Sequence, residues 1–409
     1  MATTVKAFLE HHTLTRAVVD RYLDPDGNNW ACFDSELGYL LRSNLSRDGL
    51  GWCYTTSTYE PGGARKMIQY ADRPCRINTY GDSFVQCDQV SDGETWQEVL
   101  AAHLGEPIRN FGIGSYGVYQ SYRRMLREED KTPADYVILN AYDEDHQRNV
   151  YQWRGIHMSP HFWPSVRDAT GSDETFGFHA NPWCFLRMNL DSGNFDEIEN
   201  SHPTPESLYE LCDAAYVYET FKDNIEIQAF MAAQGAEDVD WSRLQALADV
   251  LEFSIQTDTP DARARTAAAL LLEYGQRATL HTFNLARVFL QSMGKKLMIH
   301  LPYSMTQLRE VFGGAARNDE CVIDYLKANR IVFVDCMEQH LEDYKSFSCG
   351  VEDYLKRYYV GHYSPAGNHF CAYQMKDTVV DWLEPKPPAY RHKDPQPDSP
   401  STIRDQARE

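Results

Sequence analysis

The chain has no Cys-x-x-Cys pair, no internal repeat, no excess of basic residues, and no apolar run near the roughly 18–20 residues that span a bilayer. Each absence excludes something. Without a long apolar run, nothing predicts a membrane-spanning helix. The segment Met1 to Arg16 lacks the apolar stretch of a secretion signal, so a cytoplasmic location is expected. Only 39 Lys+Arg stand against 60 Asp+Glu, a formal charge of −21. A surface that negative repels phosphate backbones and anionic lipid heads, which argues against nucleic acid and membrane as partners. The ten cysteines have no staple-like spacing and several fall inside apolar runs, where cysteine behaves as a small hydrophobe. They are read as free thiols in a reducing compartment. What is present suffices for a sizeable core: 43% of the 409 residues are hydrophobic and 12% aromatic, enough for one large domain or two.

Residues 1–71 are broken by turn signals (Asp24-Pro-Asp-Gly, Asp48-Gly-Leu-Gly, Pro61-Gly-Gly) with short aromatic and β-branched runs between, which predicts a small β-rich appendage. From about residue 72 the pattern alternates. Strands are expected at 76–80, 107–111, 136–141, 296–301 and 330–335, with helices at 95–104 and 119–129. Five strands separated by helices predict an α/β fold: three layers around a mostly parallel five-stranded sheet. Residues 146–262 interrupt the alternation with Trp153, His157, His161, Trp163 and Trp183 and turn helical after about 205, which predicts a lid or pocket wall. The proline-rich stretch 384–409 is expected to be a disordered tail.

The sharpest local signal is Tyr80-Gly-Asp-Ser-Phe-Val85, directly after the first strand. It puts a hydroxyl at a strand's carboxyl end, where open α/β sheets bind ligands. Taken alone, Asp-Ser there is also an ordinary helix N-cap. Two further blocks go with it: Asn110-Phe-Gly-Ile-Gly-Ser-Tyr-Gly117 after the second strand, and Gly361-His-Tyr-Ser-Pro-Ala-Gly-Asn368 before the last helix. Together these resemble the SGNH (GDSL-type) hydrolases, over about residues 72 to 383. The resemblance implies the flavodoxin-like sheet of that family, Ser83 as nucleophile and His362 as the base that activates it. It also implies backbone oxyanion donors at Ser83 and at Ser115, where the family usually has glycine, or at Gly114. Tyr116 continues from that block toward the same cleft.

Two positions depart from the family. Its third block carries an Asn whose amide completes the oxyanion hole; here the run is Asn140-Ala-Tyr-Asp-Glu-Asp-His-Gln-Arg-Asn149, aligning Glu144 or Asp143 with that Asn. An ionised carboxylate cannot donate a hydrogen bond. Either it pairs with Arg148 and leaves Asn140 or Asn149 as donor, or it is protonated in a dry pocket, or it faces a cationic or polyhydroxylated substrate. The Asp that orients the family's histidine is also missing, since Tyr359 and Val360 stand there. Asp335 and Asp353 are the candidate replacements.

Asp143, Glu144, Asp145 and His146, with His157 and His161, have metal-binding residue types, but Pro160 and Pro164 disfavour a regular His-x₃-His helix and acidic runs are usually solvated. No metal and no cofactor is expected. The reading is a serine esterase acting on the acyl ester of a carbohydrate or small polar molecule. The alternatives are an O-acyltransferase on the same fold, or a catalytically weak binding protein for a polar or cationic ligand. The oligomeric state is left open.

Overall fold

The computed structural model describes residues 4–158, 175–179 and 181–391. The elements that position the site are, in chain order, β1 (Ile77–Tyr80), α1 (Ser83–Gln86), α2 (Trp96–Leu104), β2 (Arg109–Asn110), α3 (Val118–Glu128), β3 (Tyr136–Asn140), α4 (Asp145–Arg148), α5 (Pro260–Ser292), β4 (Lys296–Leu301), β5 (Val332–Asp335), α6 (Cys336–Tyr344) and α7 (Pro365–Trp382). The five strands form one all-parallel sheet in the order 2-1-3-4-5. The central strand, Tyr-Val-Ile-Leu-Asn, is buried at every position, as a parallel strand covered on both faces must be. One group of helices, α2, α6 and α7, packs together against the sheet; α3 and the long α5 form a second. The order reverses between β1 and β3, the point at whose carboxyl ends open α/β sheets bind ligands.

β2 is shorter than expected, only Arg109–Asn110, because its neighbours Pro107 and Phe111 fall outside the ladder. The appendage requires a correction. It begins with two helices, Val5–His11 and Arg16–Leu23, capped by the hydroxyls of Thr4 and Thr15. Two small antiparallel ladders follow, Ala31–Asp34 with Gly38–Leu41 and Asn44–Ser46 with Thr55–Ser57. These threonine caps are the signal that the turn-rich reading passed over. The appendage is stitched into the α/β body. Buried Arg65 donates to Asp92 Oδ1 (2.9 Å) and to the carbonyls of Cys87 (2.8 Å) and Val90 (2.6 Å), and Tyr39 Oη donates to Gly114 O (2.6 Å).

Within 146–262 the structure has a hairpin, Phe185–Met188 with Phe195–Ile198, and helices Ala214–Phe221, Ile225–Ala233 and Trp241–Val250. His161 and Trp163 lie outside the described residues. Of the expected tail, 384–391 is ordered: Glu384 N–H meets Tyr136 Oη at 2.7 Å, and the turn Pro388–Tyr390 packs on α2. The rest, 392–409, lies outside the described residues. No described helix is long and apolar enough to cross a membrane.

Candidate active site

Ser83 is the first residue of α1, at the carboxyl end of β1, and is 7% exposed. The turn that presents it needs glycine at 81, since a Cβ there would stand 2.5 Å from both Asn140 Cβ and Val85 Cγ2. Asp82 is the N-cap: its Oδ1 accepts from Phe84 N–H (3.0 Å) and from Asn140 Nδ2 (2.9 Å). Its Oδ2 is buried with no hydrogen bond among the described residues. Burial, the largest influence, pushes the Asp82 carboxyl upward against the opposing pull of Arg148.

His362 lies in the turn before α7, its ring packed on Phe84 with centroids 5.3 Å apart. Its backbone N–H donates to Gln89 Oε1 (2.8 Å), and its Nδ1 lies 3.0 Å from the same oxygen. Gln89 Nε2 donates to Asp48 O (3.0 Å), which fixes the amide's orientation. An amide oxygen only accepts, so Nδ1 carries the proton and Nε2 is left with its lone pair. Asp88 Oδ2 stands 3.9 Å from Nδ1. Gln89 and Asp88 therefore occupy the place expected for Asp335 or Asp353. Asp335 instead caps α6 through Met337 N–H (3.1 Å) and pairs with Arg317 Nη1 (2.7 Å). Asp353 is exposed on the helix Val351–Tyr358. No Ser83–His362 hydrogen bond is formed among the described residues, which is common in ligand-free hydrolases.

The second block folds over α1. Gly112 has no room for a side chain: a Cβ would lie 2.1 Å from Gln86 N. Gly114 N–H donates to Gln86 Oε1 (2.7 Å) and is thereby spent. Ser115 N–H, like Ser83 N–H, has no acceptor among the described residues. Ser115 has φ 67°, a left-handed conformation that glycine adopts without strain, and its Oγ lies 3.1 Å from His179 Nε2. Cys87 (φ 59°) and Gln89 (φ 67°) share that backbone region, so three non-glycine residues in the loops around Ser83 are in sparsely populated conformations. Tyr116 is fully buried and its hydroxyl donates to Tyr39 O.

The acidic run resolves into three roles. Asp143 accepts from Ser304 N–H (2.9 Å) and Oγ–H (2.7 Å), and burial outweighs these bonds to push its carboxyl up to about 7. Glu144 is 59% exposed by its side chain and pairs with Arg148 Nη2 (3.2 Å). Asp145 is the buried member. It accepts from Tyr142 N–H (3.1 Å) and holds Arg148 Nη1 at 2.6 Å. Both Asn residues expected as substitute donors are buried, each with one amide N–H already engaged. Asn140 donates to Asp82 and accepts from His300, and Asn149 Nδ2 donates to Thr279 Oγ1 (2.8 Å). The acidic–histidine metal grouping does not converge among the described residues. His146 Nδ1 meets Thr279 Oγ1 (2.8 Å), and His157 stacks on Tyr151.

Two parts of the chain outside the sheet meet beside the second block. His179 packs on Trp30 and Ser115, and Trp183 lies against Tyr39 and Tyr116. Trp153 packs farther along the insertion, on Phe221. Four residues were missed by sequence reasoning: Asp88, Gln89, His179 and Arg154. Only Asp88 and Gln89 had a signal, their places five and six residues after Ser83 on the same loop. Arg154 Nε is buried with no hydrogen bond among the described residues; burial first, then the charge of Arg148, lowers the guanidinium to about 10. A cleft of about 640 Å³ lined by Met188, Phe195, Arg277 and His281 holds none of these residues. No protein-family model and no curated protein matches this chain.

Proposed function

We propose that the chain is a serine esterase of the SGNH type, acting on the acyl ester of a carbohydrate or other small polar molecule. The Ser83 hydroxyl gives its proton to His362 Nε2 as Oγ attacks the acyl carbon. The tetrahedral oxyanion is met by the N–H groups of Ser83 and Ser115. The bond to the alcohol then breaks, His362 returns the proton to the departing oxygen, and an acyl-enzyme remains. Water, deprotonated by the same Nε2, releases the acid. The observation that carries this reading is the Gln89 Oε1 contact, which holds the proton on Nδ1 of an imidazole packed against the residue after Ser83. Gln89 does the orienting that a carboxylate does in a triad, without the negative charge that stabilises imidazolium, so a modest turnover is expected. Because Glu144 already pairs with Arg148, a neutral polar ester suits the site better than a cationic one.

The test is labelling with a serine-directed fluorophosphonate, followed by mass spectrometry of the labelled peptide. Label on Ser83, lost in Ser83→Ala, supports the reading. An unlabelled Ser83 in protein that hydrolyses no acyl ester refutes it and leaves a binding role. Product that forms only when an alcohol acceptor is added makes the same acyl-enzyme a transferase intermediate.

A further inference from the structure

Behind the Ser83 pocket, three sulfur and nitrogen ligands converge that the proposed chemistry does not use. β4 runs beside β3 in a register that sets His300 next to Asn140. Cys336 opens α6 at the end of β5, and Cys371 sits on α7. His300 Nε2 lies 3.2 Å from Cys336 Sγ and 3.4 Å from Cys371 Sγ, and all three atoms are within 4.8 Å of one another. One turn along α7, Met375 Sδ is 3.9 Å from Cys371 Sγ. All four side chains are buried. The ring of His300 is already oriented: its Nδ1 is 2.8 Å from Asn140 Oδ1, whose amide is fixed in turn by donating to Asp82. Nδ1 therefore carries the proton and the Nε2 lone pair faces the two sulfurs.

We propose that His300 Nε2, Cys336 Sγ and Cys371 Sγ bind one zinc ion, with the Met375 thioether beside the fourth position. Around tetrahedral zinc, with Zn–S about 2.3 Å and Zn–N about 2.0–2.1 Å, ligand atoms stand roughly 3.4–3.8 Å apart, so the two observed nitrogen–sulfur separations need only a few tenths of an ångström of adjustment. Sulfur donors exclude magnesium and calcium. Among thiophilic ions, Zn²⁺ with two thiolates and a neutral imidazole is a neutral centre, whereas Cu⁺ would leave a net negative charge in a dry interior. Binding releases both thiol protons to solvent and changes no oxidation state. The ion ties β4, α6 and α7 together, and through His300 and Asn140 it braces the Asp82 cap of the serine helix. It replaces the expectation of no metal, and it stands whether or not Ser83 is a nucleophile.

The full chain, isolated under reducing conditions, is expected to carry one zinc ion by elemental analysis. After chelator stripping, Co²⁺ should give thiolate-to-cobalt charge-transfer bands in the near ultraviolet and tetrahedral bands in the visible. Cys336→Ser with Cys371→Ser should abolish both, while Cys53→Ser, at an exposed thiol, should keep them. The cobalt spectrum of the unmutated chain needs no variant, so a double mutant that fails to fold leaves the test intact. Metal-free protein that gives no thiolate–cobalt bands overturns the proposal. So does a Cys336–Cys371 disulfide whose reduction restores no cobalt binding.

Discussion

The side chain of Asn140 touches two clusters of opposite character. Its amide N–H₂ faces Asp82 and the Ser83 loops; its carbonyl oxygen faces His300 and the two cysteines. On the Ser83 side, the groups sit on turns. Cys87, Gln89 and Ser115 have positive φ, and among the described residues two backbone N–H groups lack acceptors and the Ser83 hydroxyl makes no hydrogen bond. On the His300 side, every group sits on a strand or helix, is buried, and points at the others. Unspent donors and strained turns suit a partner that comes and goes. Converging soft ligands in regular elements suit one that stays.

The largest expected effect breaks the first cluster alone. Ser83→Ala should lower acyl-ester turnover by about a thousandfold or more and abolish fluorophosphonate labelling. Thermal stability should stay near that of the parent, because the hydroxyl has no hydrogen-bond partner to lose among the described residues. A fall in turnover that tracks a fall in stability would make Ser83 a structural cap.

Next comes Gln89→Leu, which leaves the His362 N–H and Nδ1–H without their acceptor. Turnover should fall about 10–100-fold in kcat with little change in KM, since Gln89 positions the base and does not bind substrate. Gln89→Glu should restore much of the loss and alter the pH profile of kcat, a readout that a purely structural role would not move. The cobalt spectrum of the His300 cluster should be unchanged in both variants. Coupled changes would show that the two clusters are one unit.

How far the chain was legible differs between the clusters in the same way. β3, β4 and β5 were readable because each is a short, largely apolar run, and Tyr136–Asn140 needed no tertiary information at all; the polar β1 and β2 were readable from the turn blocks that follow them. The positions of Ser83 and His362 were readable because they lie in local blocks tied to strand ends. Gln89 was not: its role depends on a left-handed turn that carries its amide to a residue 273 positions away. The acidic run misled because sequence order cannot say which of three adjacent carboxylates is inside. The answer, Asp145, follows from the short helix that begins there and closes back on Tyr142 N–H. The cysteines at 336 and 371 were read, with the other eight, as free thiols; their meeting with His300 needs the register of β4 and the packing of α7 on β5.

A smaller effect is set by pH. Burial raises the Asp143 carboxyl to about 7, above an ordinary value near 3.9. A group bound more tightly to its proton in the folded state contributes stability that is present below about pH 4 and is lost as pH rises through about 7. Thermal scans should therefore show a decline between about pH 4 and pH 7, on the order of 1–2 kcal/mol once partial exposure is allowed for. Asp143→Asn should flatten that decline. An unaltered slope in the variant would show that Asp143 is ionised throughout.

The smallest expected effect tests the oxyanion assignment itself. Ser115→Gly keeps the backbone N–H and removes the side chain. Glycine at φ 67° relieves about 1 kcal/mol of left-handed strain, while the lost contact of Oγ with His179 at 3.1 Å costs a similar amount. Stability should thus move by less than about 1 kcal/mol, and kcat by less than about threefold, because the donor proposed to meet the oxyanion is unchanged. A large fall in kcat at constant stability would mean that the Ser115 hydroxyl, or the His179 it holds, acts on the substrate. The open backbone N–H would then be incidental, and the contrast between the two faces of Asn140 would rest on side chains alone.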